Sequence, residues 1–268
     1  MTIEPGLVDA LDITVIPLSF MIDGVIYTDG DLSLSDYMTK MEASDQLPKT
    51  SQPPVGLFAE TYNQLTADGS EVISIHLSNI LSGTVEAARQ GAALSAGKVT
   101  VVDSDFIDQG LAFQVVLAAQ MAQDGKSLDE ILSAVSQMRD NTDLFCGVAN
   151  LDNLVKGGRI GRVSGMIGGF LDIKVILQMK NDGLVQYMKG RGSKTFKKWL
   201  TEMTTHLTES GRKVKEIGIS HAENLDFAKN LKENLQKFVE KPINILDTST
   251  IIATHTGRGA WAVVIAYE

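Results

Sequence analysis

Runs of β-branched residues alternate with amphipathic stretches along most of the chain, and that order limits the fold more than any other feature. "DITVIPLSF", "VISIHL" and "KVTVVD" read as strands. Between them "SLSDYMTKMEAS", "GLFAETYNQLTADG" and "GLAFQVVLAAQMAQDG" place apolar residues at helical spacing. Strand and helix in alternation predict a parallel sheet covered by helices, because a parallel connection needs a crossover long enough to hold a helix. Glycine closes several helices, in "ADG", "SAG" and "QDG", where it tolerates the left-handed residue that ends the ladder. "IDGVIY" predicts a tight hairpin at Asp23-Gly24.

The texture changes after "LFCGVAN". A Gly-rich stretch, "VKGGRIGRVSGMIGGFL", leads into a predicted hairpin through Asn181-Asp182-Gly183. A second α/β unit follows, with helices in "KTFKKWLTEMTTHLTESG" and "ENLDFAKNLKENLQKFV" and strands in "VKEIGIS", "INIL" and "AWAVVIAYE". A domain boundary near 157–161 is expected, dividing the chain into an N-terminal α/β domain, 1–158, and a smaller C-terminal α/β domain, 159–268.

Composition narrows the function. With 268 residues, 44% of them hydrophobic, the chain can build a real core. Cys146 is the only cysteine, which removes a disulfide framework and a Cys-rich zinc site and makes a reducing cytoplasm the expected compartment. In "LFCGVA" it is expected to be a small buried apolar residue. A net charge of -9 argues against nucleic acid as a partner, since phosphate binding draws on clustered Lys and Arg. The apolar run "QGLAFQVVLAAQMAQ" is short for a bilayer span and broken by glutamines.

Two segments place hydroxyls at predicted helix starts: "PKTSQPPVGLF" with Thr50 and Ser51, and "SNILSGTVEAA" with Ser82 and Thr84 around Gly83. Singly, each reads as a cap, with Ser51 an N-cap before a proline-led helix. Together they offer more, because two helix N-termini converging on one point would hold an anion without any lysine. A phosphate cradle finds little support, since G-x-x-x-x-G-K-[ST] is absent and no G-x-G-x-x-G follows a strand.

A serine hydrolase is the catalytic alternative. Ser220 sits in "IGISHAEN", loosely like a nucleophile elbow, with Asp247 and His255 following in order. His221 reads equally well as a turn cap. His76, His206, His221 and His255 show no metal-ligand spacing, and no cofactor is expected. His206 is expected to face solvent. His255, in "ATHTGRGAWAVV", is expected in a loop of small residues where its imidazole can donate to a ligand. Lys189, Arg191, Lys194, Lys197 and Lys198 cluster in "YMKGRGSKTFKKW" as either a solvated face or a docking patch for an acidic partner.

In this order "PLSFMIDGVIYTDG", "LPKTSQPPVGLF", "ISIHLSNILSGTVEAA", "LDNLVKGGRI", "FLDIKVIL", "GRGSK" and "HTGRGA" resemble the DegV family of bacterial fatty-acid-binding proteins. The resemblance spans nearly the whole chain. It implies a two-domain α/β fold, a parallel-sheet domain and a smaller α/β domain clasping a long-chain fatty acid in a tunnel between them. It also implies that the carboxylate is presented to a separate ATP-binding fatty acid kinase subunit, which makes an acyl phosphate for phospholipid synthesis, with transient membrane proximity on the way.

Carried over by position, Thr50, Ser51, Ser82, Gly83 and Thr84 would surround the carboxylate and His255 would donate to it. Arg159 in the G-G-R-I block would lie beside the acyl channel, with Ile160, Met166, Ile167 and Phe170 as lining or ordinary core. Arg191 and Lys194 match the kinase-docking region. Family members open with a strand ending in a T-D-S-like motif, which this chain lacks; either the start of this sequence is internal, or the sheet has lost a strand, which would leave sheet edges or a groove unpaired. A lipid-sensing regulator would need the same pocket and is the third functional class.

Overall fold

The computed structural model describes residues 2–164, 173–180 and 183–268. Helix α1 (Leu7–Ala10) is followed by the hairpin of β1 (Ser19–Ile22) and β2 (Val25–Thr28). Its turn forms at the expected Asp23-Gly24, both with positive φ, as a two-residue hairpin of matching twist requires. Next come α2 (Leu34–Ala43) and β3 (Lys49–Ser51), which pairs antiparallel with β1 to complete a three-stranded sheet. Ser33 caps α2 by accepting from Asp36 N at 3.1 Å.

The predicted α/β alternation then appears: α3 (Val55–Leu65), β4 (Val72–His76), α4 (Thr84–Leu94), β5 (Val99–Asp103), α5 (Asp108–Gln123) and α6 (Leu128–Asp140). β4 and β5 pair in parallel. Alternate residues of the two strands face opposite ways: Val72, Val99 and Val101 pack on the α3–α4 cluster, Ile73, Ile75 and Val102 on the α5–α6 cluster. A sheet covered on both faces accounts for the unbroken β-branched runs. Helix α6 was not anticipated, although Ser127 and Glu130 form a capping box at its start.

The remaining elements are β6 (Thr142–Val148), α7 (Asp152–Lys156), β7 (Val163–Ser164), β8 (Ile173–Lys180), β9 (Gly183–Arg191), α8 (Lys194–Glu209), β10 (Val214–His221), α9 (Leu225–Leu235), β11 (Asn244–Asp247), α10 (Thr250–Thr256) and β12 (Trp261–Tyr267). Seven of them form one mixed sheet in the order β11-β10-β12-β6-β8-β9-β7. β8 and β9 pair antiparallel up to Lys180 and Gly183, as the predicted hairpin requires; its turn residues Asn181 and Asp182 lie outside the described residues. Central in that sheet is β6, which lies ahead of residue 158, so the sheet spans the expected boundary. Leu144, Phe145, Cys146 and Val148 are buried on its two faces, an apolar load that only a flanked central strand can bury.

Two expectations are corrected. "DITVIPLSF" is a strand only from Ser19 onward; residues 12–18 join no sheet and line a cleft of about 950 Å3 beside β4. His255 lies on the last turn of α10, not in a loop, because Ser249 caps a helix that buries Ile251 and Ala253. Cys146 and His206 fall as expected, one buried and one exposed. Among the described residues no helix is long and apolar enough to cross a membrane.

Candidate functional site

Sequence segments far apart converge where β3 meets α10. β3 sets Thr50 opposite Phe20 of β1, and Thr50 Oγ1 lies 3.0 Å from His255 Nε2, a bond across 205 positions. Ser51 is exposed and caps nothing; Pro54 occupies the N-cap of α3. The capping reading of Thr50 and Ser51 therefore fails: an edge strand, not a helix start, carries both.

The second hydroxyl segment lies alongside. Ser82 Oγ and Thr84 Oγ1 are 2.8 Å apart, and Ser82 Oγ also accepts from Thr84 N at 3.3 Å. Gly83 is the N-cap of α4, and a Cβ there would collide with Oε1 of Gln52, so the loops leading into α3 and α4 touch. The two helices also run together, since a Cβ on Gly91 would meet Phe58 and the Ala59 backbone. Neither carries a side-chain cap at its N-cap residue, which leaves first-turn N–H groups for a ligand.

His255 is held from several sides. Tyr37 OH bonds Thr254 Oγ1, and Asn153 Nδ2 donates to Thr254 O at 2.8 Å, fixing the turn that bears the imidazole. A Cβ on Gly157 would collide with His255 Nδ1. Glycine is therefore required for α7 to approach so closely. Arg159 donates from Nη1 to Gly157 O at 2.8 Å, and burial together with the Arg159 charge pushes His255 down to about 4. The imidazole is neutral at ordinary pH, and its tautomer sets whether Nε2 donates to or accepts from the Thr50 hydroxyl.

The side chains that meet here, Thr50, Ser82, Thr84 and a neutral His255, are uncharged, and Arg159 is the cation beside them. Ile160 packs against the main core cluster. Met166, Ile167 and Phe170 lie outside the described residues. Arg191 and Lys194 are exposed where β9 turns into α8. Sequence reading missed Gln52, Asn153 and Gly157; the proline pair after Gln52 and the glycine pair at Gly157-Gly158 mark the two loops but do not reveal that Gln52 meets Gly83 and Gly157 meets His255.

The hydrolase triad does not assemble. Ser220 is 2% exposed and its Oγ donates to Asp108 at 2.6 Å, His221 accepts from Asn224 N and faces Asp247, and His255 faces Thr50. Ser220 is buried and its hydroxyl is committed to Asp108 rather than to His255, so the arrangement lacks the histidine base of a triad. Among the described residues no group of His, Cys, Asp and Glu could hold a metal ion.

Against known proteins, the family profile for uncharacterised proteins of the DegV family matches residues 1–268. The chain belongs to the DegV family. A DegV domain-containing protein of Lactococcus lactis, YejH, is 58% identical over 268 residues, covering all of this chain and 96% of the relative. One from Streptococcus pneumoniae is 56% identical over 269 residues, again with 100% and 96% coverage. A fatty-acid-binding DegV family protein of Thermus thermophilus superposes with a TM-score of 0.90 at 26% identity, over 99% of this chain and 96% of that one. DegV of Bacillus subtilis, a fatty acid binding protein, superposes at 0.88 and 26% identity over 100% and 96%.

Three imidazoles whose pKa is lowered by desolvation, His76, His221 and His255, give this DegV protein a pH signature. His76 is pushed down to about 4 by burial, as His255 is by burial and Arg159. Below about 6.5 the unfolded chain takes up protons that the folded one refuses. Their stabilisation is complete above that pH and fades as pH falls toward 4. Asp108, raised by burial, works in the opposite direction. The melting temperature is expected to drop between pH 7 and 4.5, and less steeply in His76→Phe; identical slopes would contradict the assignment.

Proposed function

We propose that the protein binds one long-chain fatty acid, holds its carboxylate with uncharged donors, and presents it to a separate ATP-dependent kinase subunit that forms an acyl phosphate for phospholipid synthesis. The observation that supports this reading is the Thr50–His255 bond, joined to the Ser82–Thr84 segment through the contact of Gln52 with Gly83. Fatty-acid binding by the Thermus and Bacillus relatives supports it.

Physical chemistry divides the work. A buried tail of about sixteen carbons contributes on the order of 10 kcal/mol at about 0.8 kcal/mol per methylene, enough for tight binding after association costs. The head group then needs orientation more than affinity, and neutral donors give it without quenching the carboxylate in an ion pair. A carboxylate is already a nucleophile, so attack on ATP needs no general base from this chain. The exposed Arg191 and Lys194, on a protein of net charge -9, offer the kinase a local basic patch.

Mass spectrometry of organic extracts from the purified protein is expected to show one bound long-chain fatty acid; its absence from extracts of protein incubated with such acids would defeat the reading. Ser82→Ala is expected to weaken lipid retention about tenfold with the fold intact. Arg191→Glu is expected to lower acyl-phosphate formation with the kinase while leaving lipid affinity alone. Equal loss of both would remove the docking role.

A further inference from the structure

Arg258 belongs to the "HTGRGA" block, yet the carboxylate site leaves it unused. It stands between Gly257 and Gly259, both with positive φ, in the turn that carries the chain from α10 into β12. Its guanidinium grips Glu42 of α2 with two bonds, Nε to Oε1 at 2.6 Å and Nη2 to Oε2 at 3.0 Å, while Nη1 donates to Glu223. One side chain thus ties three stretches together: the end of α2, the turn after α10 and the turn after β10.

The two sides of this tie differ in stiffness. On the Glu223 side the backbone is stitched: Gly259 N donates to Ala222 O at 2.8 Å, Ala222 N to Ala260 O at 2.9 Å, and Asn224 Nδ2 to Gly259 O at 2.7 Å. Glu223 has a φ of 51°, a left-handed conformation that a glutamate keeps only where its surroundings hold it. Arg258 is therefore rooted in the seven-stranded sheet. On the other side, the chain from Asp29 to Ser51 clasps α10. Asp29 Oδ1 accepts from Thr250 Oγ1 at 2.6 Å where the helix starts, Tyr37 OH bonds Thr254 Oγ1 midway, and Glu42 meets Arg258 just past the end. Residues 44–48 then bring the chain back, and Thr50 on β3 faces His255. Phe20, paired with Thr50, packs edge-on against Tyr37 at 4.9 Å between ring centroids, so α2 and β3 form one body. The Tyr37–Thr254 bond is buried, whereas the Arg258 and Glu42 side chains are 44% and 51% exposed.

We propose that Arg258 is a positioning residue that latches α2 to the seven-stranded sheet, fixes β3 and the Thr50–His255 bond through it, and sets how slowly a bound fatty acid leaves. The inference rests on the fatty-acid reading above. Glu42 closes the outer end of the clasp; with it released, α2 pivots on its buried Tyr37 and carries β3 away from α10. A two-pronged arginine–carboxylate pair is the geometry in which an exposed ion pair holds a fixed distance, where most such pairs contribute little. Lysine offers a point charge without the fork and cannot replace it. Glu223 aims the guanidinium from the stitched side. Exposure makes the latch responsive to its surroundings, since salt screens it while leaving the buried bonds alone.

Release of radiolabelled palmitate from the purified protein into excess albumin tests this. Arg258→Ala is expected to speed release about three- to tenfold at low ionic strength, with association little changed. Arg258→Lys is expected not to restore the wild-type rate. Added salt is expected to speed release from the wild type and to leave Arg258→Ala and Glu42→Gln nearly unchanged, and combining those two substitutions should add little. Amide hydrogen exchange in lipid-free protein reads the latch without a ligand: the last turn of α2 and β3 are expected to exchange faster in Arg258→Ala. Equal release from wild type and variant, additive effects of the two substitutions, or unchanged exchange overturns the proposal. A wild type that retains no palmitate, with exchange still quickened in the variant, would sink the fatty-acid reading and support the latch by itself.

Discussion

His255→Ala is expected to weaken binding of palmitate by about ten- to a hundredfold, the effect of losing one buried hydrogen bond to an ionised carboxylate at roughly 1.5 to 3 kcal/mol. The same substitution strands Thr50 Oγ1, so Thr50→Ala in the His255→Ala background is expected to add little, whereas the effects of distant sites would sum. Gly157→Ala probes the same imidazole without removing it. The new Cβ would collide with His255 Nδ1 and stand 2.8 Å from the Asn153 carbonyl oxygen, so the ring must turn away from Thr50. Titration calorimetry should place Gly157→Ala near His255→Ala. Wild-type affinity in both would show that the imidazole holds nothing.

Trp261→Ala is expected to be the most destabilising of these changes, at about 3 to 5 kcal/mol. Trp261 is 1% exposed and its ring packs against Trp199, Phe196 and Phe227 at centroid distances of 4.7, 5.3 and 5.4 Å. It faces Gly147 across the β12–β6 pair, and a Cβ on that glycine would run into the indole. Gly147→Ala should therefore cost about 1 to 3 kcal/mol by overpacking, since an indole wedged among three aromatic rings has nowhere to go. Urea unfolding reads both. A loss below about 1 kcal/mol for Trp261→Ala would mean that this aromatic cluster is not the anchor of the seven-stranded sheet.

Much of the candidate site was legible because its parts are local. The hydroxyls of "TSQPP" and "LSGT", the Gly-rich block at Arg159 and the histidine of "HTGRGA" each announce themselves within a few residues. Their joint geometry was not, because nothing near Thr50 in sequence indicates an imidazole 205 positions away. Ser220 shows the converse: its local pattern imitates a nucleophile elbow, and only the packing of α5 against β10 reveals that its hydroxyl is committed to Asp108.

By itself the sequence determined the alternation of strands and helices, the Asp23-Gly24 turn, the covered parallel pair β4–β5 and the order of the site segments. These rest on periodicity and backbone preference, which neighbouring residues settle among themselves. Tertiary structure decided the rest: that β6 crosses into the large sheet, that residues 12–18 stand apart from any ladder, and that His255 rides on a helix facing Thr50. Those outcomes depend on which apolar faces and hydrogen-bonding edges find partners far along the chain, and no local window contains both members of such a pair.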